Sequence, residues 1–204
     1  MRRIILSLLP FVLAAPAFAW PEHYDIDKKH THVMFSVSHE GFSHTIGRIK
    51  SFDGFFTFDE KEPEKSTLDV TLNSAGIDTS IPELDKALAG SWFLNTEKFP
   101  TMRFKSTKIV ATSAKTGDIT GDFTLLGVTR PLTLHVTYNR SGIDPFGHAS
   151  GAGSSYVCGF SADGVIKRSD FGMTAFAKDV GDEVAIHIEV EGSRNAADNG
   201  KIFH

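Results

Sequence analysis

The sequence predicts an all-β protein of about eight antiparallel strands with one short accessory helix. Three observations support this fold class: apolar and polar residues alternate along most of the chain, turns rich in Gly and Asp separate the alternating runs, and one segment has helical spacing. Such strands can stack as a sandwich or close as an up-and-down barrel, and closure removes the exposed sheet edges. The interior of a barrel of about eight strands is filled by side chains or holds one small ligand.

The alternating runs give the strands in chain order. Successive side chains of a strand point to opposite faces, so every second residue of a run shares a face. We expect these sets to face the interior: Val33, Phe35 and Val37; Phe52, Gly54, Phe56 and Phe58; Leu68, Val70 and Leu72; Met102 and Phe104; Ile119, Gly121, Phe123 and Leu125; Leu132, Leu134, Val136 and Tyr138; Tyr156, Cys158, Phe160 and Ala162; and Val184, Ile186, Ile188 and Val190.

The run FDGFFTF, which begins at Phe52, holds four phenylalanines in seven residues. Alternation places Phe52, Phe56 and Phe58 on one face, with Gly54 between the first two. Because Gly54 has no side chain, we expect a gap there that leaves room for a ligand tail. Phe55 points the other way, and we expect it to pack outside the barrel under the helix.

One segment has helical features. Ser80 is followed by a proline and by Glu83, which is the pattern of a capped helix N-terminus. Leu84 and Leu88 then fall on one helical face, and Gly90 follows the run. We expect a short amphipathic helix that covers an open end or an edge of the sheet.

The first nineteen residues have the features of a cleavable signal peptide. Arg2 and Arg3 precede an apolar stretch, and Ala17-Phe18-Ala19 has the small-x-small pattern of a cleavage site. Two prolines interrupt the stretch, so we expect cleavage after Ala19 and no stable membrane anchor. The expected domain then covers residues 20–191.

Two further segments are expected to be flexible. Residues 141–155 are rich in Gly and Ser, which is typical of a mobile loop. Residues 192–204 are mostly polar, and we expect them to form a flexible tail.

Charge and cysteine content narrow the choice of partners. Loss of Arg2 and Arg3 takes the formal charge from −4 to −6. An acidic balance disfavours nucleic acid and anionic membrane surfaces, since both select for clustered Lys and Arg. Cys158 is the single cysteine. It cannot form a disulfide within the chain, so we expect a buried, inert thiol.

Histidines are the first candidates for chemistry, because His30, His32, His39 and His44 lie within fifteen residues. His30 and His32 are two residues apart, a spacing that could direct two imidazoles to one metal ion or haem. The alternative is that both are solvated at the start of a strand. His39 continues the apolar face of residues 33–37, so it is either a core residue or a polar contact near a cavity mouth.

Signals for catalysis are weak. Cys158 has no charged neighbour in sequence that would lower its pKa. Standard nucleophile, metalloprotease and phosphate-binding motifs are missing from the sequence, and no pair of carboxylates stands out. We therefore predict a protein that is not an enzyme, with an enzyme acting on a bound lipid as an alternative.

A second polar candidate lies at the end of a predicted strand, where Arg168 and Asp170 flank Phe171 in the segment KRSDFGM. Two interpretations are open. The arginine forms an ion pair that stabilises a turn, or it is available to a polar head group.

These features together resemble the YceI family, the lipocalin-like polyisoprenoid-binding proteins that are exported to the bacterial periplasm. The resemblance covers nearly the whole predicted domain, and its most specific parts are GDFTLLGVTRP and RSDFG. The matching segments are Tyr24–Asp27, Val33–His39, Gly47–Asp59, Phe99–Ser106, Gly121–Pro131 and Arg168–Gly172. One departure is visible: the family tends to carry Arg and His in the helix where this chain has Leu84 and Ala87.

The resemblance implies a lipocalin-like barrel in the periplasm with an apolar channel for an isoprenoid lipid or quinone, and no cofactor. His39 or Arg168 would then meet the head group. The assembly state is open between a monomer and a homodimer. The expected ligand-binding residues are Val33, Phe35, Val37, His39, Phe52, Phe56, Phe58, Phe104, Phe123, Leu125, Phe160, Arg168 and Phe171. Alternatives are a metal- or haem-binding protein that uses the N-terminal histidines, and a solid barrel without a ligand.

Overall fold

The computed structural model describes residues 20–145 and 155–195. Within them lie eleven strands of a single sheet and one α-helix. The elements are β1 (Glu22–Ile26), β2 (His32–His39), β3 (Ser43–Ile49), β4 (Phe52–Phe58), β5 (Thr67–Asn73), β6 (Ile77–Asp78), α1 (Pro82–Ala89), β7 (Thr101–Ala111), β8 (Thr116–Leu125), β9 (Val128–Ile143), β10 (Ser155–Lys167) and β11 (Val180–Asn195).

Hydrogen bonds close eight of these strands into a ring, in the order β1, β4, β5, β7, β8, β9, β10, β11 and back to β1. Every neighbouring pair in the ring is antiparallel. The sequence-based prediction of the fold class is therefore confirmed: the chain is a closed, antiparallel β-barrel with one short helix.

The other three strands extend the wall of the barrel beyond the ring. β2 pairs with the same edge of β11 that pairs with β1, and β3 pairs with both β2 and β6. As a result, the wall contains three long strands that are each interrupted once. The first consists of β1 and β2, the second of β3 and β4, and the third of β5 and β6. β6 has two residues, and α1 packs beside it where the sheet ends. The helix thus lies at a sheet edge, as predicted.

The start of α1 differs from the predicted pattern. Ile81 is the N-cap residue and offers no side-chain hydrogen bond. Asp85 instead ties the helix to the segment before it, because its Oδ1 accepts hydrogen bonds from the backbone N–H of Thr79 at 2.7 Å and from the Thr79 hydroxyl at 2.6 Å. The prediction of Ser80 as the helix cap is therefore wrong.

Five aromatic rings pack against one another where β4 ends, and we call this cluster the aromatic plug. The ring of Phe160 packs edge-on against Phe56 at 5.6 Å and against Phe58 at 5.0 Å. Tyr24 stacks on Phe56 at 5.1 Å, and Tyr138 contacts both Phe58 and Phe160. Aromatic pairs of this geometry add stability beyond their buried area, so the plug is a packed part of the core.

The two faces of the FDGFFTF run are as predicted, with one difference. Phe52 and Phe56 are buried, whereas Phe55 lies outside the barrel and is 40% exposed. Phe55 stacks on His23 of the neighbouring β1 at 4.9 Å. The expected packing under the helix is wrong, because β1 borders this part of β4.

Gly54 serves the packing of strands and leaves no gap for a ligand. A Cβ atom at this position would lie 2.4 Å from the carbonyl oxygen of Asp69 and 2.9 Å from the Cα of Val70. Both atoms belong to the backbone of β5, the hydrogen-bonded neighbour of β4. The predicted role of Gly54 in a channel is therefore wrong.

We expect Gly54→Ala to lower the free energy of unfolding by about 2 kcal/mol or more, since the added methyl group would push β4 away from β5. Urea denaturation monitored by circular dichroism measures the change. Gly159→Ala in β10 is the matched control, because a Cβ there would keep 3.9 Å from its nearest neighbours. Equal losses in the two variants would contradict the steric argument.

Several predictions about the chain ends and loops concern residues outside the described part. The predicted signal peptide and residues 146–154 of the predicted loop are among them. β9 continues to Ile143, so the predicted loop is shorter at its first end. β11 continues to Asn195, and residues 192–195 therefore belong to the sheet and not to the predicted tail. Among the described residues, no helix is long and apolar enough to cross a membrane.

Candidate functional site

An apolar cavity occupies the barrel beyond the aromatic plug. The cavity has a volume of ≈ 230 Å³. Among the lining residues, Thr31 and Arg168 alone have polar side chains. A lining of this kind can hold an apolar molecule but offers few groups for hydrogen bonds.

Eight of the predicted ligand-binding residues line this cavity. They come from β2, β4, β7, β8 and the turn after β10, whose inward faces meet in the barrel interior. These residues are Val33, Phe35, Val37, Phe52, Phe104, Phe123, Leu125 and Arg168.

The other five predicted residues lie elsewhere. Phe56, Phe58 and Phe160 belong to the aromatic plug, and none of the three lines the cavity. Phe171 is buried in the core but does not line the cavity, and its ring packs edge-on against Phe123 at 5.6 Å. His39 is exposed at the end of β2, beside the β2–β3 turn. Alternation predicts which face of a strand a residue lies on, but it does not predict the depth of that residue along the barrel axis.

Part of the cavity wall was missed by the sequence-based prediction. Leu88 of α1 and the following Phe93 and Leu94 line the cavity where β6 ends. Leu88 was recognisable from the helical spacing, whereas Phe93 and Leu94 lie in an irregular turn that has no periodicity. Met34 lines the cavity together with its neighbour Val33, which strict alternation does not allow.

Aromatic side chains also mark the mouth of the cavity. Phe93 lines the cavity and stacks on Phe176 at 5.9 Å, and Trp92 packs against Phe176 at 6.3 Å. Trp92 is 69% exposed and Phe176 is 55% exposed. We call these three residues the aromatic lip. The lip connects the apolar interior to the outer surface.

Arg168 stabilises the turn between β10 and β11. Its guanidinium donates hydrogen bonds to four backbone carbonyls at 2.8–3.2 Å, and the residue is 3% exposed. The accepting carbonyls belong to Met173, Ala175, Val180 and Gly181. The expectation of an ion pair with Asp170 is therefore wrong, and the guanidinium has little donor capacity left for a head group.

Cys158 is completely buried in β10, at 0% exposure. Burial in apolar surroundings raises the pKa of the thiol to about 12. The first half of the prediction, a buried thiol, is confirmed.

We expect this thiol to be inert in the native protein. At pH 8 the raised pKa leaves only about one thiol in ten thousand as the reactive thiolate. Reaction with a colourless disulfide reagent that releases a dye should be negligible over hours in buffer and complete within minutes in urea. Rapid labelling of the folded protein would contradict the burial of Cys158.

His30 and His32 are both exposed where β2 begins, which fits the interpretation that they are solvated. His30 lies beside Asp27 and Glu191, and this is the one group of three potential ligands found within residues 20–145 and 155–195. His32, His39 and His44 are not part of it.

Comparisons with known proteins agree with this fold. The family model described as a YceI-like domain matches residues 24–192. Protein YceI of Salmonella arizonae is 41% identical over 192 residues, which are 91% of this chain and 96% of that protein.

Solved structures show the same barrel. BcnA of Burkholderia cenocepacia superposes with a TM-score of 0.72 at 22% identity, over 82% of this chain and 99% of that chain. A structure from Saccharophagus degradans, described as a polyisoprenoid binding domain implicated in plant cell wall breakdown, has a TM-score of 0.60 at 12% identity, over 84% of this chain and 98% of that chain. The family match extends over most of the chain, and the chain therefore belongs to the family of YceI-like domain proteins.

Proposed function

We propose that the protein binds an isoprenoid amphiphile, either a polyprenyl lipid or an isoprenoid quinone, in the barrel cavity. The observation that carries this proposal is the lining of the cavity, which is apolar apart from Thr31 and Arg168. A structural neighbour described as a polyisoprenoid binding domain supports the choice of ligand class. Binding of this kind needs no catalytic group, so the proposed role is that of a carrier or a store.

The lining residues of the cavity support one direction for the tail. The cavity wall extends along the regular part of β11 from Val184 to Val190, and a strand segment of that length spans about 20 Å. The rings of the aromatic plug pack against one another, whereas Trp92 and Phe176 of the aromatic lip are exposed. We therefore infer that the tail enters past the lip and points toward the plug. The head group then stays near Trp92 and Phe176, where water is accessible.

The affinity must come from the apolar tail. Each buried methylene contributes up to about 0.8 kcal/mol before ordering costs. Ligands of this size realise nearer 0.3 kcal/mol per heavy atom, or about 1.5 kcal/mol for each five-carbon unit. Since about 1.4 kcal/mol corresponds to a tenfold change in affinity, each added isoprene unit should strengthen binding roughly tenfold until the tail reaches the plug.

A titration with isoprenoid quinones of increasing tail length tests this proposal. Trp92 lies in the aromatic lip, so its fluorescence should change when quinone binds. The Trp92→Phe variant shows how much of the fluorescence change comes from Trp92. We expect saturation at one ligand per chain and an affinity that rises with tail length. No saturable binding of any tail length, or equal binding of a straight-chain fatty acid, would contradict the proposal.

We further propose that residues 1–19 direct export to the periplasm and are removed after Ala19. The basic start, apolar stretch and Ala17-Phe18-Ala19 motif support this. Mass spectrometry of protein recovered from the periplasmic fraction should find Trp20 as the first residue. Protein that stays in the cytoplasm with the segment intact would contradict the export.

A further inference from the structure

Three side chains with metal-ligand atoms meet outside the cavity, where β1 gives way to β2. They are Asp27 and His30, which lie between these strands, and Glu191 of β11. One ligand atom from each lies within 4.8 Å of the other two. His30 Nδ1 is 2.8 Å from Asp27 Oδ2 and 3.9 Å from Glu191 Oε2.

The backbone fixes the positions of these side chains. The N–H of Asp27 donates to the carbonyl of Glu191 at 2.8 Å. The Thr31 hydroxyl donates to the same carbonyl at 3.4 Å and accepts from the Glu191 N–H at 3.3 Å. Asp27 Oδ1 is also held by the N–H of Lys29 at 2.8 Å, which leaves Oδ2 directed toward His30. The two chain segments cannot separate without breaking these bonds.

The donor set has a distinct chemical preference. One imidazole nitrogen and two carboxylate oxygens suit zinc and other first-row divalent ions, which accept mixed nitrogen and oxygen ligands. Calcium and magnesium prefer oxygen ligands alone. The histidine therefore makes this group different from an ordinary acidic cluster.

We propose that Asp27, His30 and Glu191 form a binding site for a zinc-class divalent cation. The ion replaces the hydrogen bond between His30 and Asp27 and links the β1–β2 connection to β11. Ile26 and Thr31, at the two ends of this connection, line the cavity, so the ion would brace the barrel wall at an interrupted strand. The site does not depend on the proposed lipid ligand, and the lipid-free protein suffices to test it.

Calorimetric titration with zinc chloride tests the site in full-length protein that has been freed of metal with a chelator. We expect one equivalent to bind and to raise the melting temperature. His30→Gln and Glu191→Gln should each weaken binding roughly tenfold or more, which is the scale of loss seen even when a partner of a metal ligand is removed. Two separate variants guard against a local folding defect in either one.

His44→Gln is the matched control, because His44 is an exposed histidine of β3 outside the group. It should bind zinc as the unchanged protein does. Three results would overturn the proposal: no saturable binding, binding in His30→Gln equal to that of the unchanged protein, or the same loss in His44→Gln. In the first case the three side chains are an ion-paired cluster without a cation.

Discussion

Replacing Val184 with glutamate is expected to abolish the uptake of isoprenoid quinone while leaving the barrel folded. Val184 lines the cavity and lies opposite Val37 of β2 and Ile166 of β10. An apolar tail would strip water from the new carboxylate, and burial of an unpaired polar group costs roughly 2–7 kcal/mol. At about 1.4 kcal/mol per tenfold change, affinity should fall about 100-fold or more. Quinone titration of both proteins measures this.

The next residue provides the control. Ala185 is exposed on the outer face of the same strand, so Ala185→Glu adds the same charge without entering the cavity. We expect it to bind quinone with unchanged affinity. Equal loss in the two variants, or normal uptake by Val184→Glu, would show that the tail does not occupy the barrel.

Replacing Arg168 with methionine is expected to produce the largest loss of stability. The substitution keeps the apolar stem but leaves four carbonyls without their donor. Each buried polar group that loses its partner costs about 1–3 kcal/mol, although water can reach some of them. We expect the free energy of unfolding to fall by about 3 kcal/mol or more, and urea denaturation measures it.

The lysine variant separates charge from geometry. Arg168→Lys keeps the positive charge, but an ammonium group cannot reproduce the planar fork that reaches four carbonyls. We expect it to recover less than half of the stability that Arg168→Met loses. Full recovery would mean that the charge alone matters, which would contradict the structural role of the guanidinium.

The sequence predicted the fold well because alternation and turns are local signals. A half-buried strand has a period of two residues, and this period identified eight of the eleven strands in the described part of the chain, all but β1, β3 and β6. The inward face of FDGFFTF, including Phe52 and Phe56, was identified in this way. Alternation did not distinguish a barrel from a sandwich, because closure depends on the pairing of β1 with β11 across most of the chain.

The position of a residue along the barrel axis could not be predicted in this way. Phe56 and Phe104 both point inward, yet one belongs to the plug and the other to the cavity wall. The difference depends on which rings meet across the barrel, and pairings between distant strands decide it. The role of Gly54 was missed for the same reason, since its neighbour is the backbone of β5.

Irregular segments were the other source of error. Phe93 lines the cavity and Trp92 lies at its mouth, but the turn after α1 has no period that would mark them. Arg168 was recognised as a candidate, but its carbonyl partners lie in the chain after β10 and could not be deduced from spacing. Asp170 is the nearest acidic residue in sequence, but it is not the partner of Arg168.

Organic extraction and mass spectrometry of the purified protein test the central claim most directly. The protein should be isolated without detergent from cells that make isoprenoid lipids, with Val184→Glu prepared in parallel. We expect close to one isoprenoid lipid or quinone per chain in the unchanged protein and almost none in the variant. An empty protein that also fails to take up added quinone or polyprenol would contradict the assignment of the cavity as a lipid-binding site.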